Sequence, residues 1–432
     1  MNTIPENAAA GRADYSPEGF QVMAKPVGPA CNLACEYCYY LEKEALYPGV
    51  NDYRMPAEVL ETFIREYIRA QPVPEVSFVW QGGEPTLAGV DFFQAAVALQ
   101  QKYGAGKRIT NCLQTNGMLL SDDWCRFFAR HGFLVGLSLD GPEEVHDRYR
   151  RDRGGKPAFR PTMRALRLLR KHGVEFNILA TVAGENAGRP REIYRFFKEQ
   201  GVRFIQFLPV VELMPDAAAR RLGMRLGVPP SPRQERTEFA VTPWTVEPEM
   251  YGRFLIDVFD EWVRHDVGSI FVMNFEWALA SWMGLPPLSC VFMPRCGRCV
   301  VLEHNGDLYA CDHYVYPDYR LGNILRDDLR EMIESPFQSE FGAQKEASLP
   351  GFCRECTVIR GCRGECRKHR FMTTPDGEPG LNYLCAGYKE YFTYISPYMK
   401  WISQIMKSGG DASQIMDLIP LHNHTFSLPR TR

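Results

Sequence analysis

The 432-residue chain has almost no net charge, with 50 Lys+Arg against 52 Asp+Glu for a formal charge of −2. It therefore lacks the basic excess that favours nucleic acid or an anionic membrane surface. Long apolar runs are also missing. No stretch approaches the ~18 uncharged apolar residues of a membrane-spanning helix. The amino-terminal MNTIPENAAAGRADYSPEGF has no basic region leading into an apolar one, as a secretory signal would. These absences predict a cytoplasmic protein with neither a nucleic-acid nor a membrane partner. Low complexity is absent too, since 36 Gly and 31 Pro are ordinary fractions and 26 Phe with 20 Tyr supply ample apolar surface. What the chain does have is 14 cysteines. In a reducing compartment their clustering points to metal ligation rather than to a disulfide framework.

Between residues 20 and 209, β-rich runs alternate with amphipathic ones. Strands are predicted at 21–25, 76–80, 108–113, 134–139, 175–181 and 204–208, and helices at 57–70, 92–103, 122–131, 160–172 and 189–200. Six strands with intervening helices imply parallel βα units with right-handed crossovers, in an open or partial barrel whose chemistry collects at the carboxyl ends of the strands. Residues 214–242, rich in Pro, Arg and Ala, read as an exposed insertion, and helical periodicity returns at 250–265. Residues 290–385 hold nine of the cysteines in turn-rich sequence, as expected of a second domain whose small core is supplemented by metal centres. An aromatic, helix-compatible tail follows.

The segment CNLACEYCYYL sets Cys31, Cys35 and Cys38 in a C-x3-C-x2-C pattern directly after the first predicted strand. Three such thiolates can hold three irons of a [4Fe-4S] cube and leave the fourth open. A zinc site would want four protein ligands, and a ferredoxin run would want C-x2-C-x2-C. Further on, Cys290, Cys296, Cys311, Cys353, Cys356, Cys362, Cys366 and Cys385 are enough for two complete four-ligand clusters, or for two zincs. Cys112 on a strand and Cys125 on a helix read as buried structural thiols, while Cys299 is ambiguous.

The first motif resembles the hallmark CxxxCxxC loop of the radical S-adenosylmethionine (SAM) superfamily, including the aromatic Tyr37 before its third cysteine. Gln81-Gly82-Gly83-Glu84-Pro85 follows the second strand, where glycines allow close backbone approach. Gln114-Thr115-Asn116-Gly117 ends the third, Ser138-Leu139-Asp140-Gly141-Pro142 the fourth and Gln206-Phe207-Leu208-Pro209 the sixth. The resemblance implies an open iron that chelates SAM, and one-electron cleavage to a 5′-deoxyadenosyl radical and methionine. It further implies cofactor contacts from Tyr37, Gln81, Gly83, Glu84, Ser138, Arg150 and Leu208. Arg150 has the alternative of being a surface charge within RYRRDR.

The cysteine-rich region is similar to the SPASM extension of radical SAM peptide-modifying enzymes, including its Gly306-Asp307-Leu308-Tyr309-Ala310-Cys311-Asp312 element. By that resemblance Cys290, Cys296, Cys311 and Cys366 hold one auxiliary [4Fe-4S] cluster, and Cys353, Cys356, Cys362 and Cys385 a second. Runs such as CYYLEKEALYPG, CVFMPRCGRCVVLEHNGDLYACDHYVYPDYRLGNI and GLNYLCAGY narrow the resemblance to anaerobic sulfatase-maturating enzymes. Two departures stand out: the extra Cys299, and Arg367-Lys368-His369-Arg370 after Cys366 where the family usually has Pro.

The family implies three [4Fe-4S] clusters and oxidation of a sulfatase active-site Cys or Ser to Cα-formylglycine. Asp312 would act as base, and an external donor such as flavodoxin or ferredoxin would supply electrons. The expected organisation is a tail (1–18), a partial (β/α)6 TIM-like barrel (19–286, insertion 214–242), a SPASM domain (287–390) and a helical tail (391–432). The alternatives are a maturase forming thioether or carbon-carbon crosslinks, an electron-transfer protein with three clusters, and a zinc-stabilised binding module.

Overall fold

A computed structural model describes residues 19–229, 239–287 and 289–419. The predicted tail 1–18, the stretch 230–238 of the insertion and residues 420–432 lie outside the described residues. Six parallel strands form in chain order: β1 (Gln21–Ala24), β2 (Glu75–Trp80), β3 (Arg108–Thr115), β4 (Phe133–Ser138), β5 (Phe176–Val182) and β6 (Phe204–Pro209). The intervening helices are α1 (Ala57–Ala70), α2 (Val90–Tyr103), α3 (Asp122–His131), α4 (Glu143–Tyr149), α5 (Phe159–Lys171) and α6 (Pro190–Glu199). This is the partial (β/α)6 barrel expected from the sequence.

Strand alternation divides the barrel wall into two faces. Val22, Ala24, Phe78, Trp80, Val135, Leu137, Ile178, Ile205 and Phe207 are fully buried against the helices, as the edge-on contacts of Phe63 with Phe78 and of Trp80 with Phe93 illustrate. Residues of the opposite parity, among them Met23, Gln114, Ser138, Leu179, Thr181, Gln206 and Leu208, are only half-buried and line an open lumen. Cys112 shares that parity. It is a half-buried lumen residue rather than the core thiol expected, whereas Cys125 of α3 is fully buried.

Apart from a two-stranded ribbon of Met372–Thr373 with Pro379–Leu381, the cysteine-rich region adds its strands to the edge of the barrel sheet. Its strand β8 (Cys299–Leu302) pairs in parallel with β1, from Gln21 opposite Cys299 to Ala24 opposite Leu302. Antiparallel β9 (Asp307–Tyr309) and β10 (Arg320–Asn323) extend that edge, and a two-residue β7 (Phe271–Val272) closes the other to give ten strands.

The helix Cys385–Lys407 is continuous across the boundary drawn at residue 390 and packs on the helix Pro248–His265. Its tyrosines and Phe392 are the reason, since Tyr388 meets Tyr251 edge-on and Tyr398 meets Phe259. At the crossing Gly252 faces Gly387, and a methyl at Gly387 would lie 1.8 Å from the Pro248 carbonyl oxygen. Gly387→Ala is therefore expected to cost about 1–3 kcal/mol in a denaturant melt, as overpacked contacts do. Gly188→Ala, with nothing within 4 Å of the added carbon, should stay within ~0.5 kcal/mol of the parent.

Candidate active site

The loop after β1 carries Cys31, Cys35 and Cys38 at the mouth of the barrel, and the β2 loop packs against it. Gly83 N donates to Gly28 O (2.9 Å) and Glu84 N to Ala30 O (2.8 Å). A side chain at Gly83 would put its Cβ 2.0 Å from Ala30 O, so this approach requires glycine. The glycine pair thus approaches the cysteine loop itself. Glu84 is 1% exposed and accepts from four donors: Thr86 N and Oγ1, Thr115 Oγ1 (2.7 Å) and Asn116 N (2.8 Å). Its carboxylate is spent on joining the loops after β2 and β3 instead of facing a ligand. Asn116 in turn brings its Nδ2 to 3.7 Å from the Cys31 sulfur.

The remaining residues expected to touch cofactor meet at the same rim. Arg150 is no surface charge. It is buried and grips Asp140 through Nε (2.7 Å) and Nη2 (3.0 Å). Tyr37 donates to the same Asp140 (2.9 Å) and accepts from Thr181 Oγ1 (2.9 Å). Thr181 pairs across the sheet with Leu208, which presents an apolar side chain to the lumen. Ser138 Oγ accepts from Gln114 Nε2 (3.0 Å) on the neighbouring strand. Gln81 is drawn to Lys25, whose Nζ lies 3.3 Å from its Oε1.

Lys25 is the residue that sequence reasoning missed. It follows β1 directly and is 1% exposed. Its ammonium lies 2.6 Å from Asp312 Oδ1 and over the Tyr40 ring at 4.2 Å. Tyr39 also donates to Asp312. Burial works to raise the Asp312 carboxyl, but Lys25 and His313 overcome it and hold the pKa at about 2, so the group is anionic. The available signal was a single lysine directly after the apolar Val22-Met23-Ala24 of β1 and just before the cysteine loop. The insertion also differs from expectation. Ala217–Arg221 is helical, Ala219 and Met224 are buried in a cluster with Tyr316, and Glu42 accepts from Leu226 N (2.7 Å) while pairing with Arg225 (2.9 Å). Its Arg and Pro content suggested a solvated loop, but Met224 and Leu226 anchor it beside Tyr39, His313 and Lys368.

The thiols suit a metal–sulfur core. Burial pushes Cys31, Cys35 and Cys38 up, Cys35 to about 12, so an empty loop would bury neutral thiols. Sulfurs of the cysteine-rich region influence one another in two sets, and Cys290 of the first also acts on Cys299. Cys311 is raised by burial and then by Cys366 and Cys290, while Cys362 is raised to about 12 by burial and then by Cys385 and Cys353. Cys385 is raised to about 11 by burial and then by Cys353 and Cys356. A cavity of about 1020 Å³ is lined by Cys290, Cys296 and Cys299, and Cys299 Sγ points to Gln21 Oε1 (3.5 Å).

The fold and cysteine arrangement define a radical SAM protein with an iron–sulfur extension. Residues 26–197 match the radical SAM superfamily, and residues 290–357 match an iron–sulfur cluster-binding domain. The chain is 47% identical to a serine-type anaerobic sulfatase-maturating enzyme of Bacteroides thetaiotaomicron, over 91% of this chain and 94% of that one. It is 33% identical to a cysteine-type enzyme of Clostridium perfringens, over 87% and 96%. A solved structure described as native anSMEcpe with bound AdoMet and Cp18Cys peptide superposes with a TM-score of 0.76 at 32% identity, covering 89% of this chain and 99% of that one. The chain belongs to the anaerobic sulfatase-maturating enzymes, radical SAM oxidoreductases that form formylglycine.

The tie made by Glu84 is directly testable. In Glu84→Gln an amide NH2 must face a donor, so the variant should lose about 1.5–3 kcal/mol in guanidinium unfolding and bind SAM more weakly by calorimetry. Parental stability would show that the carboxylate carries no such tie.

Proposed function

We propose that this chain oxidises one serine, and less readily one cysteine, in a sulfatase polypeptide to Cα-formylglycine. The preference for serine follows the higher identity to serine-type relatives, 47% against 33%. The carrying observation is the Asp312 carboxylate, anionic and tied to Lys25 and Tyr39 beside the cysteine loop. Cys31, Cys35 and Cys38 hold one [4Fe-4S] cluster, and the two cysteine quartets hold two more. When bound, the clusters and SAM supply the radical that removes hydrogen and the sites that take up single electrons.

Asp312 takes the proton from the substrate hydroxyl or thiol. Lys25 keeps that carboxylate charged and oriented, and Tyr39 fixes its second oxygen. The substrate loses one hydrogen atom from Cβ, one proton from oxygen or sulfur and one electron, a two-electron oxidation. A thioaldehyde from cysteine then exchanges sulfur for oxygen with water. At the rim, Ser138 and Gln114 offer polar groups to a ribose, Leu208 offers an apolar wall to the adenine, and Arg150 with Tyr37 borders the methionine carboxylate. Gln81 steadies Lys25, while Gly83 and Glu84 shape the loop. Met224 and Leu226 close the side towards His313 and limit water. An external flavodoxin or ferredoxin supplies electrons, and residues 19–286 and 287–390 act as the working units.

The test uses reconstituted enzyme with Ser and Cys versions of a sulfatase active-site peptide, followed by hydrazide capture and mass analysis. An aldehyde on the Ser peptide is expected. A crosslinked product without aldehyde would favour the crosslinking alternative. Asp312→Asn should still cleave SAM to 5′-deoxyadenosine while aldehyde formation falls at least ~100-fold, the usual contribution of a general base. Unchanged aldehyde yield would remove Asp312 from the proton transfer.

A further inference from the structure

Three buried cations near the barrel mouth have acidic partners, and a fourth, Lys43, has an aromatic one. Lys25 pairs with Asp312, Arg150 with Asp140, and Lys368 with Glu212. Lys43 rests over the Tyr316 ring at 3.3 Å and feels Asp312, Glu212 and Glu303. Two buried cations in the cysteine-rich region differ. Lys345, on the helix Pro336–Ala347, is 1% exposed, and Arg370 is 7% exposed. Among the described residues neither forms an ion pair.

Lys345 Nζ donates only to backbone carbonyls, those of Cys290 (2.6 Å), Val291 (2.7 Å) and Met293 (2.6 Å). Arg370 donates to the carbonyls of Gly364 (2.8 Å), Arg363 (2.9 Å), Glu365 (3.3 Å) and Lys345. It is thereby wrapped by the chain linking Cys362 to Cys366, where Arg363, Gly364 and Glu365 are all left-handed. The Glu365 carboxylate, whose charge does reach Arg370, is occupied by His369 Nδ1 (2.8 Å) and Asn382 Nδ2 (2.8 Å). The groups that favour the charge on these two cations include cysteine sulfurs, which become anionic on binding metal: Cys290, Cys366 and Cys296 for Lys345, and Cys366, Cys362 and Cys353 for Arg370.

A buried charge without a counter-ion is costly, and an anionic metal–thiolate cluster is the counter-ion this geometry can receive. We propose that Lys345 and Arg370 set the reduction potentials of the auxiliary clusters, Lys345 acting on the Cys290–Cys296–Cys311–Cys366 site and Arg370 on both. A fixed positive charge in a low-dielectric surrounding stabilises the reduced, more negative state of a neighbouring cluster. At the Cys31–Cys35–Cys38 site the cation that acts on Cys35 and Cys38, Arg150, is already bound to Asp140. The charge pattern therefore makes the auxiliary sites better electron acceptors than the SAM-binding site and gives the electron leaving the substrate a direction. This inference rests on the cluster assignment proposed above.

The experiment is an EPR-monitored redox titration of the reconstituted full-length holoenzyme, with iron content measured on every sample. The SAM-binding cluster is identified by its response to added SAM. In the parent protein both auxiliary midpoints should lie above that of the SAM-binding cluster. Lys345→Met should lower one auxiliary midpoint by a factor of ten or more in the reduction equilibrium, about 59 mV for one electron. Lys345→Arg should restore it. Arg370→Gln should lower both auxiliary midpoints, and the SAM-binding cluster should not move in any variant.

Full iron content with unmoved midpoints in Lys345→Met and Arg370→Gln overturns the proposal. So do auxiliary midpoints at or below that of the SAM-binding cluster in the parent. Should Lys345→Met fail to load, the parental ordering and Lys345→Arg decide. A parent protein holding far fewer than about twelve irons per chain would instead remove the cluster assignment, and this inference with it.

Discussion

The parallel pairing of β1 with β8 is the contact on which the rest of the site depends. Four residues of each strand align, from Gln21 and Cys299 to Ala24 and Leu302, and the Lys25 amide continues the ladder by donating to Leu302 O at 2.9 Å. Antiparallel β9 starts at the carboxyl end of β1 and runs back along β8, and Cys311 and Asp312 follow it, with Asp312 meeting the Lys25 ammonium at 2.6 Å. Tyr39 and Tyr40, which follow that loop, lock the arrangement by donating to Asp312 and Glu303. One strand pairing therefore brings Lys25, the proposed base Asp312 and the neighbouring Cys311 together.

Charge is distributed along the same line. Around the rim, Lys25, Arg150 and Lys368 occur in ion pairs with carboxylates, which lowers the cost of burying their charge. Asp140 shows this, since Arg150, Tyr37 and the Thr181 amide all donate to it. In the cysteine-rich region Glu365 pairs with His369, whereas Lys345 and Arg370 are solvated by backbone carbonyls. Polar closure at the rim suits positioning of substrate and cofactor. An unpaired positive field farther in suits holding an electron.

The six barrel strands were legible because a parallel βα repeat writes its alternation into consecutive residues, and the cysteine spacing was equally local. The β1–β8 pairing was not legible. CVVL is a short apolar run like many others, and its partner lies 278 residues away at Cys299 and Gln21. Glu84 marks another boundary. Its motif is visible in sequence, but the four donors that absorb its carboxylate come from Thr86, Thr115 and Asn116, which only the folded loops bring together. The family resemblance marks Arg150 as a cofactor contact, but its arginine neighbours in RYRRDR leave a surface charge as the alternative from sequence alone. Its burial depends on Asp140, ten residues earlier at the end of β4. The insertion misled through composition, as two apolar residues among arginines and prolines were enough to anchor it.

The central claim is that the β1–β8 pairing sets the Asp312 carboxylate where it meets the substrate side chain. The most direct measurement is a crystal structure of the reconstituted holoenzyme with SAM and a Ser-containing sulfatase peptide. The account predicts the target Oγ within hydrogen-bond reach of Asp312, about 2.6–3.2 Å, with Lys25 still on the other oxygen. A target serine seated at the barrel mouth but contacting a different base, with Asp312 enclosed by Lys25 and Tyr39 alone, would contradict it.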